Sequence, residues 1–296
     1  MGMLQKNHGK NMKLARLLAL PALAALAVIG MSQNSRAALV ASDNASNYTT
    51  SDWGTASKGT GFGSWAFKAN ANGGSAGTYL DTSSKGIATS GDSWGVYANN
   101  GNGTSNINIT RAFLPGVGSL ATVGTLRDGQ SFNIALESDG ISNANAAFGF
   151  NLQGTGGTAT PFTLKYQAGG TDAMTLTDAS GSYSISGVNF ADLNAGINVS
   201  FTLAGPVAGG NQDYSLSIDK TSGTSLATHS GMVSGALNQF EIFDTNTSGN
   251  GYFNSVAVTG TPVSAAPIPA SFGLVLAGGL GLAGMALSRR RSRAQA

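Results

Sequence analysis

From Leu39 to Pro262 the chain is written in short runs of alternating apolar and polar residues, punctuated by Gly, Asn, Asp and Ser. No convincing amphipathic helix interrupts them. "NINITRAFL" (Asn106–Leu114) sets Ile107, Ile109, Arg111 and Phe113 on one side, and "QSFNIALES" (Gln130–Ser138) does the same with Phe132, Ile134 and Leu136. A period of two marks a strand with one buried face. "AAFGFNLQ", "PFTLKYQA", "GSYSISGV", "INVSFTLAG", "DYSLSIDK", "NQFEIFDT" and "GYFNSVAV" repeat the pattern. The 43 glycines fit this scheme, because Gly weakens helices and suits tight turns. Evenly spaced short strands predict a sandwich or a barrel, and at this length the expectation is an all-β, two-sheet jelly roll. A Gly/Ser-rich linker is the competing reading. The recurrence of Phe, Trp, Tyr, Ile, Leu and Val at strand spacing speaks against it.

The two ends are of another kind. "MKLARLLALPALAALAVIG" starts at Met12, a possible alternative start, and puts Lys13 and Arg16 ahead of an apolar run from Leu17 to Ile29. Ser35 and Ala37 follow as small residues where a signal peptidase reads, so residues 1–37 are expected to be a signal peptide cut after Ala37. At the other end 18 uncharged residues run from Ala270 to Leu287. At about 1.5 Å rise each they span roughly 27 Å, close to a bilayer's hydrocarbon thickness. Arg289, Arg290, Arg291 and Arg293 then act as a stop held on the cytoplasmic side, which leaves the rest outside. The expected organisation is a signal peptide (1–37), a β-sandwich domain (38–262) and a C-terminal segment (263–296) with a transmembrane helix at 270–287.

Charge divides along the same lines. Nine of the sixteen basic residues lie in the two ends, while all fourteen acids lie between them. The middle thus carries 7 − 14 = −7. A body of that sign repels phosphate backbones, so nucleic acid is excluded as a partner. With no cysteine there is no disulfide, thiolate nucleophile or Cys-bound metal. No cofactor is expected.

The tail has a tripartite order: a short Pro motif (Pro267, Ile268, Pro269, Ala270), an apolar span and an Arg cluster. This resembles the PEP-CTERM sorting signal. The resemblance implies export, anchoring by the tail, and cleavage near the Pro motif by an exosortase-type membrane protease, with delivery to the cell surface or extracellular matrix. Ile268 stands where the family's usual residue is Glu, as in the Pro-Leu-Pro-Ala variant. A plain membrane anchor is the alternative. More loosely, "GTGFGSWAF", "GDSWGVYANNG", "GQSF…LESDG" and "FNSVAVTG" resemble concanavalin-A-like sandwiches, in which one sheet commonly binds carbohydrate.

Chemistry-bearing patterns are few. "GDSWG" fits the G-x-S-x-G elbow, and Ser93, Asp219 and His229 run in hydrolase order, but the elbow needs a strand feeding a helix and here strand and turn follow. His229 has no second histidine beside it in the body and reads as an exposed loop residue. A glycosidase needs two facing carboxyl groups, for which Glu137 and Asp139 are the candidates. "DTNTSG" offers oxygens at Asp244, Asn246 and Ser248 as in half a calcium loop, but Ser255 stands at its twelfth position in place of Glu. Trp53, Trp65 and Trp94, with Tyr48, Tyr79 and Tyr97, are candidate faces for stacking sugars, against the alternative that they pack the core. The expectation is a non-catalytic, exported sandwich that binds extracellular polysaccharide or surface partners. The alternatives are a secreted hydrolase or lyase using Glu137 and Asp139, and a purely structural surface component.

Overall fold

A computed structural model describes residues 38–81, 86–99, 104–114, 124–143, 145–154, 159–168, 173–208 and 210–260. Its strands form an all-β sandwich of two antiparallel sheets. The eight-stranded sheet holds β1 (Ala38–Asp43), β3 (Ser75–Asp81), β4 (Ser93–Asn99), β6 (Ser131–Ser138), β11 (Ile197–Ala208), β12 (Asn211–Lys220), β13 (Ser225–Ser234) and β15 (Asn250–Gly260). Its order is β13-β12-β11-β6-β15-β4-β3, with β1 paired to β15. The seven-stranded sheet holds β2 (Phe62–Asn70), β5 (Asn106–Phe113), β7 (Ala147–Gln153), β8 (Phe162–Gln167), β9 (Met174–Asp178), β10 (Gly181–Ile185) and β14 (Gln239–Thr245). Its order is β10-β9-β8-β7-β14-β5-β2.

The alternation works as expected. Ile107, Ile109, Phe132, Ile134 and Leu136 are all buried between the sheets. Aromatic rings carry the contact across the gap: Phe132 of β6 lies 5.2 Å from Phe240 of β14, and Phe201 of β11 lies 4.8 Å from Phe162 of β8. One element departs from the expectation of no helix. Phe190–Ala195 forms a short helix, α1, nucleated by a capping box in which the Asn189 side chain accepts from the Asp192 amide (3.0 Å) and the Asp192 carboxylate accepts from the Asn189 amide (3.1 Å). Six residues are too few to show a helical apolar stripe in sequence.

The tryptophans complete the core. Trp94 is 0 % exposed, and Trp53 and Trp65 are each 8 % exposed. Trp94 packs 5.0 Å from Phe253 and 5.2 Å from Trp65. This corrects their candidacy as ligand-stacking faces: the rings are spent on one another, beyond a ligand's reach. Tyr48 is buried with them and donates to Asp43 (2.6 Å) while accepting from the Trp65 indole (3.0 Å).

Arg111, a charge on the inward face of β5, is the exception in the alternation. Its guanidinium pairs with Asp43, donates to the carbonyls of Gly63 (2.8 Å) and Lys58, and lies 4.5 Å from the Trp65 ring centre. Each of the three guanidinium nitrogens thus has an acceptor and the group lies against an aromatic face, which is the condition for tolerating a charge at 1 % exposure.

Residues 1–37 with Ser35 and Ala37, the motif Pro267–Ala270, the span 270–287 and Arg289, Arg290, Arg291 and Arg293 lie outside the described residues. Among the described residues no helix is long and apolar enough to cross a membrane.

Candidate functional site

The outer face of the seven-stranded sheet is polar, and β14 shows why. In "QFEIFDT", Phe240, Ile242 and Asp244 turn inward and are buried, which leaves Gln239, Glu241, Phe243 and Thr245 half-buried on the outside. The same alternation puts Asn106 and Asn108 of β5, Asn151 of β7, and Thr163, Lys165 and Gln167 of β8 on that face. Register then lines them up in rows across the strands. One row reads Lys68, Asn108, Phe243, Gly149 and Lys165, and its neighbour reads Thr110, Glu241, Asn151 and Thr163.

Over these rows and the next, Thr245, Ala147 and Gln167, opens a trough of about 370 Å³, lined by residues that include Asn108, Asn145, Asn151, Lys165, Glu241 and Phe243. Gly149 stands in the Phe243 row where β7 meets β8. A Cβ built there would stand 2.1 Å from the carbonyl oxygen of Leu164 and 2.7 Å from the Lys165 Cα, so only glycine fits. Phe243 thus has Asn108 opposite it on β5 and a residue without a side chain, Gly149, opposite it on β7.

The polar groups are held in place. Thr163 donates to the Asn151 amide oxygen (2.8 Å), and the Asn151 amide nitrogen donates to Glu241 Oε1 (2.8 Å). Each bond orients the next, so the amide and carboxylate are fixed before any ligand arrives. Gln239 and Gln153 pair in the same way one row along. A half-buried aromatic ring, oriented amides and one carboxylate in an open trough form a surface for holding a polyhydroxylated ligand: apolar C–H faces against Phe243, hydroxyls to the amides and Glu241.

The other candidates are dispersed. Ser93 sits on β4, Asp219 on β12 and His229 on β13, and β4 and β13 are five strands apart in one sheet. At about 4.8 Å per strand that separates serine from histidine by about 24 Å, and Ser93 is wholly buried, so no triad forms. His229 is half-buried on β13, its ring 5.0 Å from Tyr183, which corrects its reading as a loop residue. Glu137 is 0 % exposed whereas Asp139 is exposed and accepts from Asn250 (2.9 Å) and the Tyr252 hydroxyl (3.0 Å). The pair therefore does not face a sugar across an open cleft.

In the suggested calcium loop, Asp244 is fully buried and its Oδ1 accepts from the Thr247 hydroxyl (2.7 Å). Burial pushes its carboxyl up to about 8, so at neutral pH it holds its proton. Ser248 accepts from the Ser142 hydroxyl (2.6 Å), and Asn246 is 6 % exposed. Among the described residues no cluster of three or more His, Cys, Asp or Glu is placed to hold a metal.

Tyr79 and Tyr97 are half-buried on the outer face of the other sheet, their centres 6.1 Å apart. Each lies over a glycine of the neighbouring strand: Tyr79 over Gly95, and Tyr97 over Gly77. Burial raises the Tyr79 phenol to about 12.

No family model and no curated protein matches the chain. Among solved structures, it is similar to the cellulose-induced protein Cip1 (12 % identity over 66 % of this chain and 90 % of that one, TM-score 0.36). A Bacillus subtilis protein of unknown function with a galectin-like fold matches at 10 % identity over 76 % of this chain and 98 % of that one (TM-score 0.39). Lectin I-B4 of Griffonia simplicifolia matches at 11 % identity over 66 % and 92 % (TM-score 0.34). With overlaps this loose, what the chain binds has to be read from its own side chains.

Proposed function

We propose that the sandwich is a non-catalytic polysaccharide-binding domain and that its binding face is the outer surface of the seven-stranded sheet. The observation that carries this reading is the half-buried Phe243 on a polar outer face, flanked by an amide and a carboxylate already oriented in the Thr163–Asn151–Glu241 chain. The printed names of similar structures, a plant lectin and a cellulose-induced protein, accord with it without adding weight. The protein is exported by the segment at 1–37 and held by the apolar span at 270–287. An exosortase-type protease cuts near Pro267–Ala270 and leaves the sandwich at the cell surface or in the extracellular matrix.

Binding of the purified full chain to an array of neutral and acidic polysaccharides tests the first part. Phe243→Ala is expected to weaken the best hit about tenfold, the equivalent of about 1.4 kcal/mol, with an unchanged melting temperature. Binding to no polysaccharide, or full binding by the variant, would refute the assignment. Mass spectrometry of the mature termini tests the second part: a tail retained in all material rules out cleavage near Pro269.

A further inference from the structure

We propose that the ligand of this face is an acidic polysaccharide, one whose carboxylate or sulfate groups flank a sugar stacked on Phe243; the inference rests on the polysaccharide reading above. It starts from how charge is distributed. The body between the two ends has seven bases and fourteen acids. Of these, the outward side chains of the seven-stranded sheet carry two bases, Lys68 and Lys165, and one acid, Glu241. This face is thus +1, while the rest of the body has five bases and thirteen acids, or −8. Within an acidic domain this one sheet face is left slightly positive.

The lysines are also placed with order. Both stand in the Phe243 row, Lys68 two strands to one side through Asn108 and Lys165 two strands to the other through Gly149. At about 4.8 Å per strand each backbone position is about 10 Å from Phe243, and the two lysines are about 19 Å apart. Neither forms an ion pair among the described residues; Lys68 is exposed and Lys165 half-buried in the trough. The single acid of the face is turned to another use, since Glu241 is tied to Asn151 and marks the neighbouring row.

A chain laid across the strands along this row meets a cation, an amide, an aromatic ring, bare backbone and a second cation in turn. A glycan bearing one anion per disaccharide matches that sequence, with an uncharged sugar on the ring and its anionic neighbours within reach of the flexible lysine stems. A neutral glycan would leave both ammonium groups unanswered. The negative remainder of the body repels a polyanion, which screening weakens beyond about 8–10 Å and which favours approach by this one face.

Binding of the full chain to hyaluronan, dextran sulfate and unsubstituted dextran, measured by affinity electrophoresis, decides the matter. Hyaluronan, with one carboxylate per disaccharide, or dextran sulfate, with sulfate esters, is expected to be retained at least tenfold more strongly than dextran, and the better of the two names the anion. Raising salt from about 0.05 to about 0.5 M should weaken retention about tenfold. Lys68→Gln and Lys165→Gln should each weaken it about fivefold, with the melting temperature unchanged. Dextran bound as well as the acidic polymers, or acidic binding insensitive to salt and to both variants, overturns this inference and leaves the polysaccharide reading standing. Retention of none of the three polymers, with none on the wider array, overturns both.

Discussion

Replacing Asp244 by Asn should flatten the pH dependence of stability by an amount set by one buried carboxyl group. Asp244 is 0 % exposed, and burial raises its carboxyl from an ordinary 3.8 to about 8, opposed by the bonds from Thr247 and the Gly251 amide. The folded protein thus binds the proton more tightly than the unfolded chain. Its stabilising contribution is complete below about pH 4 and is lost as pH rises through about 8. At about 1.4 kcal/mol per tenfold change in proton affinity, the full loss is about 6 kcal/mol, an upper figure because a core relaxes and admits water when charged. Asn keeps the size and a bonding oxygen and does not titrate in this range. Urea unfolding of both proteins from pH 4 to pH 9 should show the native protein losing about 2–5 kcal/mol relative to Asp244→Asn. Parallel curves within about 0.5 kcal/mol would show that the group is not buried and neutral as described. So would calcium-dependent stabilisation that Asp244→Asn abolishes, because a bound cation would hold the carboxylate ionised.

Three further outcomes follow from the packing. Arg111→Met and Asp43→Leu alone should each cost about 3–5 kcal/mol in denaturant unfolding, because each strands a buried charge. The double variant Asp43→Leu with Arg111→Met should recover most of that loss, and a loss that simply adds would refute the pairing. Gly149→Ala should destabilise by about 2 kcal/mol or more and reduce polysaccharide retention, since its Cβ would stand 2.1 Å from the Leu164 oxygen; a neutral effect would refute so close an approach of β7 to β8. Trp94→Ala should cost about 3–5 kcal/mol by opening a core cavity, whereas Phe243→Ala leaves the melting temperature unchanged, and calorimetry on the two variants separates the core ring from the surface ring.

The strands of the sandwich were legible because inward positions such as Ile107, Ile109 and Phe132 repeat every second residue, and a period of two has one structural meaning. Arg111 was visible as a charge among them. Its partner was not, because Asp43 lies 68 residues away and only the fold brings them together. The candidate site was harder still. Alternation in "NQFEIFDT" sorts Phe243 from Asp244, but which of them meets water depends on the neighbouring sheet, and here the aromatic ring is outside and the acid within. The row from Lys68 to Lys165 crosses five strands from four separate parts of the chain, so it exists only once register is set. The tryptophans misled in the opposite sense: their size makes them good platforms and better core, and nothing local in the sequence separates the two uses.

The order in which the strands are strung carries a consequence for assembly. β14 lies between β7 and β5 in one sheet and β15 between β6 and β4 in the other, yet these central pieces are the last of the described strands to be synthesised. Until residue 260 is available each sheet exists as two halves with a missing middle, and long-range pairing of this kind is slow to form. The nascent polypeptide is thereby kept from closing either sheet until its last two described strands, one for each sheet, have been made.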